Sequence, residues 1–125
     1  MTANTTQLAA QVVRSLDKHL AKDIRLIDVE TVTSICDCFV IAHGNSSTQV
    51  RALSDYVEKE VSDKCGITPL RTVGYQSTGW VLIDYGEVIV HVFNEEMRGF
   101  YDLERLWKDG TDVDITQFID NEETT

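Results

Sequence analysis

Residues 80–93 read WVLIDYGEVIVHVF, and the alternation within this stretch decides the fold. Trp80 to Asp84 and Glu87 to Phe93 are rich in β-branched and aromatic residues. The Tyr85-Gly86 pair interrupts them, which is the pattern of a β-hairpin. With Tyr85-Gly86 as a two-residue loop, Ile83 is expected opposite Val88, Leu82 opposite Ile89, Val81 opposite Val90 and Trp80 opposite His91. Successive strand side chains point to opposite faces. One face is then Val81, Ile83, Val88, Val90 and Val92, all aliphatic, and is expected to meet the core. The other is Trp80, Leu82, Ile89, His91 and Phe93, bordered by Asp84 and Glu87. Aromatic and aliphatic groups with a polar tip and an acidic rim suit a binding hot spot. The same set would equally suit a face covered by a helix, and the pattern leaves both readings open.

Working outward, Leu8, Val12, Leu16 and Leu20 recur every fourth residue and predict a helix from Thr5 to Ala21, opened by Asn4 with Gln7. Ile24 to Val29 reads as a short strand. Cys36 to Ala42 is almost continuously apolar and reads as a buried strand. Gly44-Asn45-Ser46 is a turn, and Ser46 with Gln49 caps a second helix whose stripe is Val50, Leu53, Val57 and Val61. Gly66 is its natural stop. Pro69 leads into a strand, Leu70 to Val73, and the Gly74 to Gly79 loop precedes the hairpin. Beyond it Asn94 caps a last helix, Glu95 to Trp107, with Arg98/Asp102 and Glu104/Lys108 at i,i+4 spacing. Residues 109–125 hold six acidic residues and no basic one, so a flexible or loosely docked acidic tail is expected after a domain spanning residues 1–108. This order gives a single α/β domain with a mixed β-sheet and flanking helices, in which Cys38 to Leu70 forms a crossover.

At 125 residues the chain holds one domain and one core. Its net charge is −10, with 11 Lys and Arg against 21 Asp and Glu. Affinity for nucleic acid comes mostly from cations that neutralise phosphates, so direct sequence-specific nucleic-acid binding is not expected. An acidic surface suits a basic partner, of which ribosomal proteins are one class, although such charge also serves simply for solubility. No apolar run approaches the ~20 residues that span a bilayer. Met1 to Arg14 has the character of neither a secretory signal nor a transit peptide, so a cytoplasmic protein without membrane contact is expected.

Candidates for chemistry are few. Cys36 and Cys38 are expected on one side of a strand, where a disulfide would be strained. With His43 they supply three potential metal ligands, whereas a closed zinc site takes four in paired spacings. Their expected role is that of small apolar core residues. The turn His43 to Ser47 lies between a buried strand and a helix N-terminus, where phosphates often bind. It is similar to the Gly-Ser turn of nucleotidyltransferases. Those enzymes need paired carboxylates shortly afterwards to hold Mg²⁺, and Asp112-x-Asp114, which has the right spacing, lies in the tail. His19, His43 and His91 are scattered, and no phosphate-loop, dinucleotide or nucleophile-elbow motif is present. No enzyme, metal or cofactor is expected, and a nucleotide-binding enzyme built on the Gly44–Ser47 turn is the rival reading.

Asp37-x-Phe39-Val40-Ile41 with Gly44, Ser46 and Gln49 resembles the first signature of the ribosomal silencing factor (Iojap-like) family. Trp80-x-Leu82-Ile83-Asp84-Tyr85-Gly86, His91-Val92-Phe93, Arg98 and the run Tyr101 to Trp107 resemble its second. The similarity covers roughly Leu8 to Lys108, with Cys36, His43 and Glu87 as small departures. It implies a nucleotidyltransferase-like sheet without catalytic carboxylates. It also implies docking on ribosomal protein fourteen of the large ribosomal subunit, which sterically blocks joining with the small subunit and represses translation under nutrient limitation. A homodimer off the ribosome is implied as well. A ribosome-assembly adaptor is a further alternative. The ribosomal-protein-binding residues expected on this basis are Trp80, Leu82, Asp84, Tyr85, Ile89, His91, Arg98, Tyr101 and Glu104.

Overall fold

A computed structural model describes residues 1–76 and 79–123 of the chain, so Ser77 and Thr78 of the expected Gly74–Gly79 loop and the last two residues lie outside the described residues. The elements run α1 (Ala3–Lys18), β1 (Lys22–Asp28), β2 (Cys38–Gly44), α2 (Ser47–Cys65), β3 (Arg71–Val73), β4 (Trp80–Asp84), β5 (Val88–Asn94), α3 (Glu95–Tyr101), α4 (Leu103–Leu106), β6 (Thr111–Val113) and α5 (Thr116–Glu123). They build one six-stranded sheet in the order β3-β4-β5-β2-β1-β6. β2 and β5 pair in parallel at its centre, and the other pairs are antiparallel. The fold is thus the expected α/β domain with a mixed sheet and flanking helices.

The main core lies on one side. Val81, Ile83, Val88, Val90 and Val92 of the hairpin pack there with Cys38, Val40 and Ala42 of β2. Leu8, Val12 and Leu16 of α1 and Val50, Leu53, Val57 and Val61 of α2 close over them. The aliphatic hairpin face therefore meets the core as its alternation requires. Helix ends follow local chemistry. Ser46 accepts from the Gln49 N–H and caps α2, which ends at Gly66 with φ of 68°. The α1 cap is Thr2, which accepts from the Thr5 N–H, rather than Asn4, so the helix starts earlier than its apolar stripe suggests.

Four expectations are corrected. The hairpin loop is Gly86-Glu87, not Tyr85-Gly86, because Tyr85 N–H donates to the Val88 carbonyl at 2.9 Å. Pairing shifts accordingly, with Trp80 opposite Phe93, Leu82 opposite His91 and Ile83 opposite Val90. A shift of two keeps every side chain on its face. Gly86 has φ of 90° and stands first in the loop, where a two-residue II′ turn requires glycine. The last helix is broken in two by Asp102, which adopts φ of 47°. Cys36 lies outside β2 and joins the cluster on the opposite side of the sheet from Cys38.

The fourth correction concerns the acidic segment. β6 extends the sheet by pairing with β1, Leu26 opposite Val113 and Asp28 opposite Thr111. Arg25 meets Asp112 at 2.7 Å. α5 packs on α1, burying Phe118 in the main core while Arg14 Nε donates to the Phe118 carbonyl at 3.0 Å. Val113, Ile115, Phe118 and Ile119 supply the apolar contacts, so this segment docks despite its charge.

Candidate docking face on the second side of the sheet

The second face is neither fully open nor fully covered. Ile27, Val29, Cys36, Phe39, Ile41, Ile89 and Phe93 form a buried cluster there, flanked by partly buried Trp80, Leu82, Met97, Leu103 and Trp107. The cover comes from α3 and α4. Asn94 ends β5 and caps α3 by accepting from the Met97 N–H at 2.8 Å, which turns the chain back over the sheet. Gly79 permits this close return, since a Cβ there would lie 2.7 Å from Met97 Cγ and 2.8 Å from Asn94 Nδ2. The left-handed residue Asp102 then redirects the chain, and Trp107 lands on Phe39 with ring centroids 5.0 Å apart.

Toward the β3 edge the cover stops. Trp80 and Leu82 are half-buried, and Val73, paired with Leu82 and so on the same face, is 48% exposed. Tyr101 is 42% exposed and its ring centroid lies 4.6 Å from that of Trp80. Phe100, 78% exposed with its ring centroid 5.2 Å from that of Tyr101, extends the aromatic character along α3. Aromatic and aliphatic groups gathered on one open surface make this face the candidate for an interaction site.

The polar groups behind this patch are held inward. Trp80 Nε1 donates to His91 Nδ1 at 3.1 Å. His91 is buried among the rings of Phe39, Trp80 and Phe93. Burial pushes its pKa down to about 4, with Glu104 opposing, so the ring is neutral at physiological pH. Accepting at Nδ1 places its proton on Nε2. Arg98 is buried too. Its Nη1 donates to the Asp23 carbonyl at 2.6 Å and the Lys22 carbonyl at 3.3 Å, and lies 3.0 Å from His43 Nδ1. Its Nε donates to Glu104 Oε1 at 2.8 Å. Burial first, and then Arg98, lower the His43 pKa, which suits an imidazole that accepts from the guanidinium.

The structure therefore sorts the expected binding residues. Trp80, Leu82 and Tyr101 come together on the open patch. Ile89 and His91 lie beneath it. Arg98 and Glu104 pair with each other and fasten α3 and α4 to β1 and β2. Asp84 accepts from Arg71 Nε at 3.2 Å and from the Gly86 N–H at 2.8 Å, so it serves the hairpin turn. Tyr85 is a correction, because it packs in the main core on the other side of the sheet. Its strand position, two after Ile83 and four after Val81, carries that signal. Val73 and Phe100 were not expected on the patch. They become visible only once Asp102 breaks the helix and β3 is placed beside β4.

The Gly44–Ser47 turn offers little to an anion. The pocket it forms with Asn94 is also lined by Glu95 and Glu96, whose charge opposes a phosphate. Among the described residues no group of three or more His, Cys, Asp or Glu could hold a metal ion. Burial pushes the Cys36 and Cys38 thiols up to about 11 and about 12, which keeps them protonated and inert.

The family model described as "Ribosomal silencing factor during starvation" matches residues 2–125. The chain belongs to the ribosomal silencing factor family. A ribosomal silencing factor from Halalkalibacterium halodurans is 38% identical over 113 residues, covering 90% of this chain and 96% of that one. A crystal structure of a Chromobacterium violaceum protein superposes with a TM-score of 0.79 at 32% identity, covering 82% of this chain and 85% of that one. The mouse protein named "Mitochondrial assembly of ribosomal large subunit protein 1" is 32% identical over 98 residues, which span 77% of this chain and 43% of the mouse protein. Similarity to ribosomal silencing factors thus extends through β6 and into α5, beyond the signatures legible in residues 8–108.

Proposed function

We propose that this family member docks on the large ribosomal subunit through the Trp80–Leu82–Tyr101 patch and sterically blocks joining with the small subunit. The observation that carries the reading is an aromatic patch left open on one side of an otherwise packed sheet, in a chain of this family. A half-buried tryptophan beside a half-exposed tyrosine is the composition of an interface hot spot. The net charge of −10 surrounds it with a field that favours a basic partner, and ribosomal protein fourteen is the partner proposed. The protein acts by occupancy, without catalysis, and represses translation when nutrients are scarce. Off the ribosome the same patch is the natural place for two copies to meet.

Light scattering with purified subunits tests this directly. Added protein should lower the yield of joined ribosomes in proportion to its occupancy of large subunits, with no covalent change in RNA or protein by mass spectrometry. Unchanged joining at saturating protein would refute the block. The name of the mouse relative favours a second reading, an assembly helper. That reading predicts binding to immature large particles in preference to mature ones.

A further inference from the structure

We propose that His91 is a positioning residue that fixes the Trp80 indole for docking, so that the partner meets Trp80 as a purely apolar surface. This rests on the docking reading above and adds the chemistry of the contact. Trp80 opposes Phe93 and lies diagonal to His91, with Nε1 donating to Nδ1 at 3.1 Å. The indole packs against Phe93, at a centroid distance of 5.0 Å, and Tyr101, at 4.6 Å, rings that also contact each other at 6.2 Å. Ring contacts set its plane but not which edge points inward. The hydrogen bond sets the edge, because a flipped indole would carry its N–H away from His91 Nδ1.

His91 can serve only as a neutral ring with the proton on Nε2, and its burial beneath the patch enforces the neutral state. Since the indole N–H is already engaged, a partner gains nothing by offering it an acceptor. The fitting partner surface at this point is aliphatic or aromatic. A carboxylate or carbonyl placed there would be desolvated without compensation.

Two variants and one spectrum test this. His91→Leu removes the acceptor at similar volume, while His91→Asn can return an acceptor near the Nδ1 position. Co-sedimentation with purified large subunits should show about a tenfold loss for His91→Leu, the equivalent of about 1.4 kcal/mol. His91→Asn should stay within about threefold of the natural protein. A folded His91→Leu that binds like the natural protein overturns the proposal, as does equal loss in both variants. Nitrogen-15 NMR of the unaltered protein gives an answer that needs no binding and no variant. The His91 ring should carry its proton on Nε2, with one indole N–H protected from solvent exchange. A ring protonated on Nδ1 overturns the positioning role even if the docking reading stands. If the unaltered protein fails to bind large subunits, the docking reading falls while the spectrum still decides the Trp80–His91 relation.

Discussion

Arg98 and Glu104 stand six residues apart across the break at Asp102, and Arg98 Nη2 lies 2.7 Å from Glu104 Oε1. The pair draws α4 back against α3, while the same guanidinium holds the carbonyls of Lys22 and Asp23 at the start of β1. The cover over the second face is therefore fastened by one buried charge. Glu104→Ala should cost about 1–3 kcal/mol, because the guanidinium loses its nearest anion while keeping its carbonyl partners. Urea unfolding measures the loss. The Trp107 contact with Phe39 should loosen with it, seen as a red-shifted tryptophan emission.

Phe93 and Tyr101 both touch the same indole, and each other at a centroid distance of 6.2 Å, but should behave differently. Phe93 is fully buried, so Phe93→Ala should cost about 3–5 kcal/mol of stability. Tyr101→Ala removes a half-exposed ring and should cost within about 1 kcal/mol of stability. It should nevertheless weaken large-subunit binding by at least about fivefold, near 1 kcal/mol. Thermal melts and co-sedimentation of the two variants separate the roles.

The pKa of His91 is lowered from 6.5 to about 4 by burial. Between those values the unfolded chain holds a proton that the folded protein does not, so stability rises with pH across this window and is lost as pH falls. From pH 7 to pH 5 the ring should account for about 2 kcal/mol of lost stability, at ~1.4 kcal/mol for each pKa unit. His91→Asn should lose correspondingly less over the same range. Urea titrations at the two pH values give the comparison.

Removing residues 110–125 should destabilise the domain. The cut deletes the β1–β6 pairing and uncovers the site filled by Phe118. A fall in Tm of about 10 °C or more is expected, since ~1 kcal/mol moves the midpoint of such a domain by only a few degrees. Gly110→Ala should also destabilise, because a Cβ there would lie 2.7 Å from Ile27 Cγ2 and 2.8 Å from the Asp28 carbonyl oxygen.

The hairpin was legible because alternation survives an error of register. Val81, Ile83, Val88, Val90 and Val92 reach the core whichever residues form the loop. The loop itself was misread although glycine at the first of two turn positions is its usual place, and that error carried Tyr85 out of the core. The last helix was misplaced because i,i+4 charge pairs are weak signals, whereas Arg98 finds its partner through a left-handed turn no periodicity records. The docked C-terminal segment was hidden by composition. Asp112 meets Arg25 and Asp114 accepts from Thr116, while a few apolar side chains do the packing. Which half of the second face stays open depends on where α3 and α4 lie, and that is a tertiary fact.

The most direct test is co-sedimentation of Trp80→Ala beside the unaltered protein with separated large and small subunits. Trp80 is half-buried at the border of the second cluster, so the variant should keep the circular dichroism of the native fold and a cooperative melt. The unaltered protein should travel with large subunits and not with small ones. Trp80→Ala should lose about thirtyfold or more in affinity, corresponding to ~2 kcal/mol for a hot-spot residue. A folded Trp80→Ala that binds large subunits as tightly as the unaltered protein would contradict the assignment of this face.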